Sequence, residues 1–259
     1  MKEVQGFSSK AFRMLVRTGI REILREPRVF FFSMIFPLLF LGMFGFMNLM
    51  IPPSQESGMS VLQYLFPGIM IFALLSIGLY GTSIPIIEMR QKGTLRLFQL
   101  APLSKNTFIF SQIAVRLILS FIQIVFFLIL GSILGYVRFA DIPLLLLVSV
   151  IDVIFMLTLG FLFGGLFKSI EVVAGLLTVL MIPVLIISGV LMPASILPDL
   201  AKKIALALPF TYMGDSMRQI MYGTKGEFSV LTDIGIILAF TILVLLITRK
   251  TFRWSLENL

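Results

Sequence analysis

The sequence predicts an all-α polytopic membrane protein with six transmembrane helices. Three observations carry that expectation. Of the 259 residues, 58% are hydrophobic, above the roughly 45–50% of soluble domains, and the mean hydropathy is +1.05. The apolar residues gather into six runs, most of about 20 residues or more, the length a helix needs to cross ~30 Å of hydrocarbon. The basic residues are partitioned: 16 of the 21 lysines and arginines fall on one side of those runs and five on the other. Lysine and arginine mark the cytoplasmic side, so both termini and the segment after the second run are expected in the cytoplasm.

Residues 1–28 are expected to form a cytoplasmic amphipathic helix. Phe12, Val16, Ile20, Ile23 and Leu24 share one face, and Arg13, Arg17, Arg21 and Arg25 recur every four residues beside it. Ser8 or Ser9 offers an N-cap and Pro27 a stop. Such a helix rests in the membrane interface with its arginines toward anionic headgroups. It is either an anchor alone or an anchor whose polar face also meets a soluble partner. The charged stretch is too long and too amphipathic for the n-region of a signal peptide.

The membrane domain is expected over 29–248. The first span, 29–51, stops at Pro52-Pro53. The second, 62–87, carries Pro67 and Pro85, which membrane helices tolerate when neighbours satisfy the freed carbonyls. A polar loop at 88–108 follows, holding Glu88, Arg90, Lys92, Gly93, Thr94 and Arg96. Within it Leu95, Leu97, Phe98 and Leu100 follow Gly93-Thr94, and Pro102, Leu103 and Ser104 close the stretch. This reads as a short capped helix with an apolar face, lying on the cytoplasmic surface.

The third span, 109–137, places Arg116 near the cytoplasmic end, where its long side chain would snorkel. Gly131 and Gly135 are spaced as a helix-packing pair. The fourth span, 142–167, is glycine-rich at Gly160, Gly164 and Gly165, and after a turn at Lys168–Glu171 the fifth, 172–192, contains Pro183. Segment 193–230 is too proline-rich to cross. It reads as two short amphipathic helices, about 198–207 and 210–222, set in or dipping into the outer interface. Phe210, Tyr212 and Tyr222 would be its interfacial aromatics, and Asp215 and Arg218, three apart, would form a surface pair. The sixth span, 231–248, leads to a basic tail, 249–259, with the sole tryptophan, Trp254.

The residues present exclude several chemistries. There is no cysteine and no histidine, which removes thiolate and imidazole metal sites and the usual general base. No G-x-x-x-x-G-K-[ST] loop occurs, so the chain has no phosphate cradle of that type. Neither a metal site nor a catalytic residue is expected. Asp152 is the one acid deep in a span. It and Gln123 are candidate pathway residues, each competing with a plainer reading as a packing contact or an interhelical hydrogen bond.

Glu88-Met89-Arg90-Gln91-Lys92-Gly93-Thr94-Leu95, followed by Leu100-Ala101-Pro102-Leu103-Ser104, resembles the E-x-x-x-x-G-T-L … P-[LV]-S signature of ABC-2 type transporter permeases. A second stretch resembles the family's proline-marked segment before the last span: Leu191-Met192-Pro193, Leu197-Pro198, then Leu208-Pro209-Phe210-Thr211-Tyr212 and Arg218. Together the matches extend over nearly the whole chain.

The resemblance implies the membrane-spanning permease subunit of an ATP-driven ABC exporter, moving a lipophilic or amphiphilic substrate. It implies two copies of a separate ATPase subunit, with ATP and Mg bound there and no cofactor on this chain. It also implies a second permease subunit, identical or a sibling, and a bacterial cell membrane as location; no nucleic acid is involved. The 93–100 helix would be the coupling helix seated in the ATPase, with Glu88, Arg90, Gly93, Thr94, Leu95, Leu97, Leu100, Pro102, Leu103 and Ser104 as contact residues. The helix bearing Arg13, Arg17, Arg21 and Arg25 would flank it. Two other classes fit the residues less well. An ion-coupled carrier would show repeat symmetry and several intramembrane charges, and a lipid-metabolising enzyme would need polar groups converging at one depth; the sequence shows neither pattern.

Overall fold

The computed structural model describes residues 8–25, 34–50, 59–93, 105–192 and 197–251. Among these, all regular structure is helical. The helices are α1 (Ser9–Arg25), α2 (Phe36–Met50), α3 (Val61–Leu75), α4 (Gly81–Gln91), α5 (Lys105–Ile133), α6 (Ile142–Leu166), α7 (Ile170–Ile187), α8 (Asp199–Ala205), α9 (Pro209–Tyr222) and α10 (Val230–Thr251). A π-helical turn at Ser76–Tyr80 joins α3 to α4, so the two run on as one rod from Val61 to Gln91.

Five helical segments are long and apolar enough to cross a membrane: that rod, Thr107–Ile133, Phe139–Leu166, Ile170–Ile187 and Val230–Thr251. Helix α2 is apolar but shorter, at 15 residues. It lies on α3 through Phe36 and Phe40, whose rings approach Phe72 at 5.9 and 5.6 Å. The start of α3 is locked by a reciprocal cap. Ser60 Oγ accepts from the Gln63 amide at 3.2 Å, and Gln63 Oε1 accepts from the Ser60 amide at 2.9 Å.

The α3–α4 rod and α6 form the centre. Both bury side chains around most of their circumference. Helix α10 contributes one stripe, Asp233, Ile237, Thr241, Val244 and Thr248, at the spacing of a single helical face. Lipid offers no hydrophobic drive for helix association, so close backbone approach and van der Waals contact must supply it. The glycines do this within the chain. A Cβ at Gly160 would sit 2.6 Å from the Gly78 carbonyl and 2.7 Å from Thr82 Cβ, and one at Gly164 would sit 3.0 Å from Ile86 Cβ. The π turn is thus pressed against the glycine face of α6.

Several details differ from the sequence reading. The second helix continues one turn beyond Ile87, to Gln91, because Glu88 pairs with Lys92 at 2.5 Å and Arg90 docks on a neighbouring helix. Gly131 and Gly135 are not a helix-packing pair. Gly135 has φ +75° and ends α5, while Tyr136 and Val137 donate back to the Gly131 carbonyl at 2.8 and 3.1 Å. A glycine just past a helix end adopts this left-handed backbone without Cβ strain. Helix α9, expected in or dipping into the outer interface, is seated in the core: Phe210, Tyr212, Met213, Met217, Ile220 and Met221 are all buried.

The topology sorts the helix ends. One end of the bundle gathers α1, the end of α4, the starts of α5 and α7 and the end of α6. The opposite end gathers the start of α3, the ends of α5 and α7, helices α8 and α9 and the start of α10.

Candidate functional site

The first of these ends carries most of the described candidate residues. Arg90 is buried, and its guanidinium grips the last carbonyls of α6. Nη2 donates to Gly164 O at 2.9 Å, and Nη1 donates to Phe167 O at 3.1 Å and Gly165 O at 3.4 Å. A helix leaves its final carbonyls unpaired and carries partial negative charge there, so a cation from another helix fits. Gln91 adds a bond from Nε2 to Lys168 O at 2.8 Å. The loop between α6 and α7 is therefore tied to the end of α4 by two consecutive residues.

Glu88 and Lys92 lie toward solvent as an i, i+4 pair, and Gly93, at φ +70°, terminates the helix with its amide on Arg90 O at 3.1 Å. Gly93 is thus the left-handed end of α4. Thr94, Leu95, Leu97, Leu100, Pro102, Leu103 and Ser104 lie outside the described residues.

Helix α1 docks on the first turns of α5. The Ser8 amide donates to Thr107 Oγ1 at 3.2 Å, and a Cβ at Gly19 would meet Val115 Cγ2 at 2.9 Å. Arg13, Arg17, Arg21 and Arg25 remain exposed on the other face.

Arg116, expected to snorkel, is instead 3% exposed. Its Nε donates to Gly81 O at 2.8 Å, and its Nη1 donates to Gln112 O and Oε1 at 2.9 and 2.6 Å. Gly81 is the residue whose helical partner would be the amide of Pro85, which proline lacks. One buried arginine thereby links α5 to the proline-interrupted α4. Pro85 and Arg116 were both visible in the sequence, but only the fold brings them together.

The two interior candidates sit deep in the bundle. Gln123 and Asp152 are both fully buried, and among the described residues neither carboxylate oxygen of Asp152 meets a hydrogen-bond donor. Among the described residues, no group of three or more Asp or Glu stands together as a metal site.

At the opposite end, Asp215 and Arg218 do not form the expected surface pair. Asp215 Oδ2 accepts from the Glu227 amide at 3.0 Å and from Gln219 Nε2 at 3.3 Å. The same Gln219 nitrogen donates to Asp233 Oδ2 at 3.1 Å and to Phe228 O at 2.9 Å. Burial holds the Asp215 carboxyl above its ordinary range, against the lowering pull of the Glu227 amide and the Arg218 charge. Arg218 turns inward, away from this cluster.

Comparison with known proteins agrees with the membrane architecture. The family model for ABC-2 family transporter proteins matches residues 48–250. A protein of Cyanophora paradoxa named "Putative transport permease ycf38" is 28% identical over 222 residues, covering 83% of this chain and 76% of that protein.

Proposed function

Since the chain belongs to the ABC-2 family of transporter proteins, we propose that it is the membrane-spanning permease subunit of an ATP-driven exporter, worked by a separate ATPase. The chain is a multi-pass membrane protein. In this reading α2, the α3–α4 rod, α5, α6, α7 and α10 are six spans. Both termini and the α4–α5 junction face the cytoplasm, and α8 and α9 lie at the outer end. Two ATPase copies and a second permease subunit complete the assembly, and an amphiphilic or lipophilic compound is the cargo.

One observation carries the mechanism: Arg90, three residues before Gly93, holds the terminal carbonyls of α6. A displacement of the segment after Gly93 would be passed to α6 through this grip rather than absorbed by a loose loop. Helix α1, packed along the start of α5, would transmit the same displacement to the next span. ATP binding and hydrolysis on the partner would supply the work, and this chain's part is to convert it into a relative shift of helices. The partner is taken to be an ATPase because ABC-2 permeases normally work with one.

The test is Leu97→Asp combined with Leu100→Asp, placing charge on the apolar face predicted for the 93–100 helix. Co-purification with the ATPase should be lost while membrane insertion and α-helical content stay normal. Undiminished co-purification would remove this segment from the contact.

A further inference from the structure

Arg218 is 91% buried by its 9% exposure, yet among the described residues its guanidinium makes no hydrogen bond, and its Nη1 is sealed from solvent without an acceptor. An arginine stays ionised in any protein environment, so this is a buried, unneutralised cation. Its guanidinium carbon lies 4.8 Å from the centre of the Tyr64 ring, a cation–π contact. Tyr64 is fixed for that purpose: its hydroxyl donates to Gly189 O at 2.8 Å.

The arginine side chain folds back along α9 over Gly214. A Cβ there would lie 3.0 Å from Nη2 and 3.4 Å from Nη1, so glycine is what admits this pose. Four residues on, Tyr222 shares the same face of α9, and its hydroxyl is also buried without a hydrogen-bond partner among the described residues. Burial raises its affinity for the proton, so it stays a donor. The nearest acid on α9, Asp215, is held by Gln219 and the Glu227 amide and reaches Arg218 only through its field.

Two unsatisfied buried donors on one helix face, one of them cationic, with an aromatic floor beneath the cation, lack only an acceptor. We propose that Arg218 and Tyr222, with Tyr64 as the stacking floor, form a binding site for an oxyanion group, the phosphate or carboxylate of a lipid headgroup or of a small free anion. The guanidinium fork suits two oxygens of one such group, and the tyrosine hydroxyl supplies a third donor. The site does not depend on the transport reading, because it is tested on the permease alone.

The experiment is thermal melting of the purified full-length protein in neutral detergent, with inorganic phosphate, with phosphatidylglycerol or with phosphatidylcholine. The wild-type midpoint should rise by several degrees with phosphatidylglycerol, with phosphate, or with both. A response to phosphatidylglycerol alone assigns a lipid headgroup; a response to phosphate assigns a small oxyanion. Arg218→Gln should abolish the rise, Tyr222→Phe and Gly214→Ala should weaken binding several-fold, and Arg138→Gln, exposed at the same end, should respond as wild type. Should Arg218→Gln not fold, Arg218→Lys keeps the charge without the fork and should bind several-fold more weakly. The proposal is overturned if neither anion shifts the wild type, or if the Tyr222 and Gly214 variants respond as it does.

Discussion

Arg116 Nε lies 2.8 Å from the carbonyl oxygen of Gly81, the acceptor that Pro85 leaves without its helical amide. A span broken by proline is thus completed by a side chain from the next span. The usual objection to a buried arginine, its desolvation, is met here by a ready-made acceptor in α4 and by two more on its own helix.

Arg116→Met should therefore destabilise the bundle by about 1–3 kcal/mol, the effect of leaving a buried acceptor unmade. Adding Pro85→Ala restores an amide to that carbonyl and should recover part of the loss. Melting of the two single variants and the double in detergent reads the coupling. Strict additivity would mean that the bond to Gly81 contributes nothing.

Gly160→Ala should lower stability by about 1–3 kcal/mol, since its Cβ would press on the Gly78 carbonyl and Thr82, backbone and side chain that have no room to retreat. Gly175→Ala is the control. Nothing stands within 4 Å of its Cβ, and alanine's better helix propensity should leave the protein unchanged or up to about 1 kcal/mol more stable. Equal melting temperatures for the two variants would rule out the tight contact between the π turn and α6.

Asp152→Asn should leave insertion, stability and the proposed transport close to wild type. The carboxyl is fully enclosed and, among the described residues, meets no hydrogen-bond donor. An amide of the same shape is then a mild replacement. The check is transport in proteoliposomes with the proposed ATPase partner; loss of transport with normal insertion would promote Asp152 to a working residue of the pathway.

The Asp215 carboxyl, raised by burial, makes a pH prediction. Its folded form prefers the proton more than the unfolded chain does. The stability it contributes is therefore complete below about pH 4, the ordinary aspartate value, and is lost as the pH rises through the raised folded value. Asp215→Asn should flatten that decline in a melting series between pH 4 and 7. Wild type and variant falling in parallel would place the proton elsewhere, with Asp233, which shares the Gln219 amide, as the group to examine next.

Much of the architecture was legible because the lipid phase leaves few choices. A run of apolar residues of spanning length must be helical there, since no water is present to satisfy the backbone. The stretch after Ile87 also stood out, as charge between two such runs, although Gly93 was read as opening a helix and the structure has it closing one. Arg90 could be picked from the motif, but its job could not. Its carbonyl partners lie 74 to 77 residues away, and no local pattern announces that a helix will end beside it. Gly131 and Gly135 misled for the opposite reason: four-residue spacing is shared by packing faces and by helix stops, and only the φ of Gly135 separates them.

Composition and hydrophobic periodicity alone determined that this chain is a helical membrane protein and where most of its apolar runs lie. Those properties are local, set by each segment's transfer from water and its own backbone hydrogen bonds. Tertiary structure alone decided the use of the polar residues: Arg116 completing Pro85's helix, Arg90 closing α6, Arg218 stacked on Tyr64 rather than paired with Asp215. Each outcome depends on which orphaned carbonyl, ring or empty space a neighbouring helix presents, and inside a bilayer an unsatisfied polar group takes its partner from wherever packing brings one.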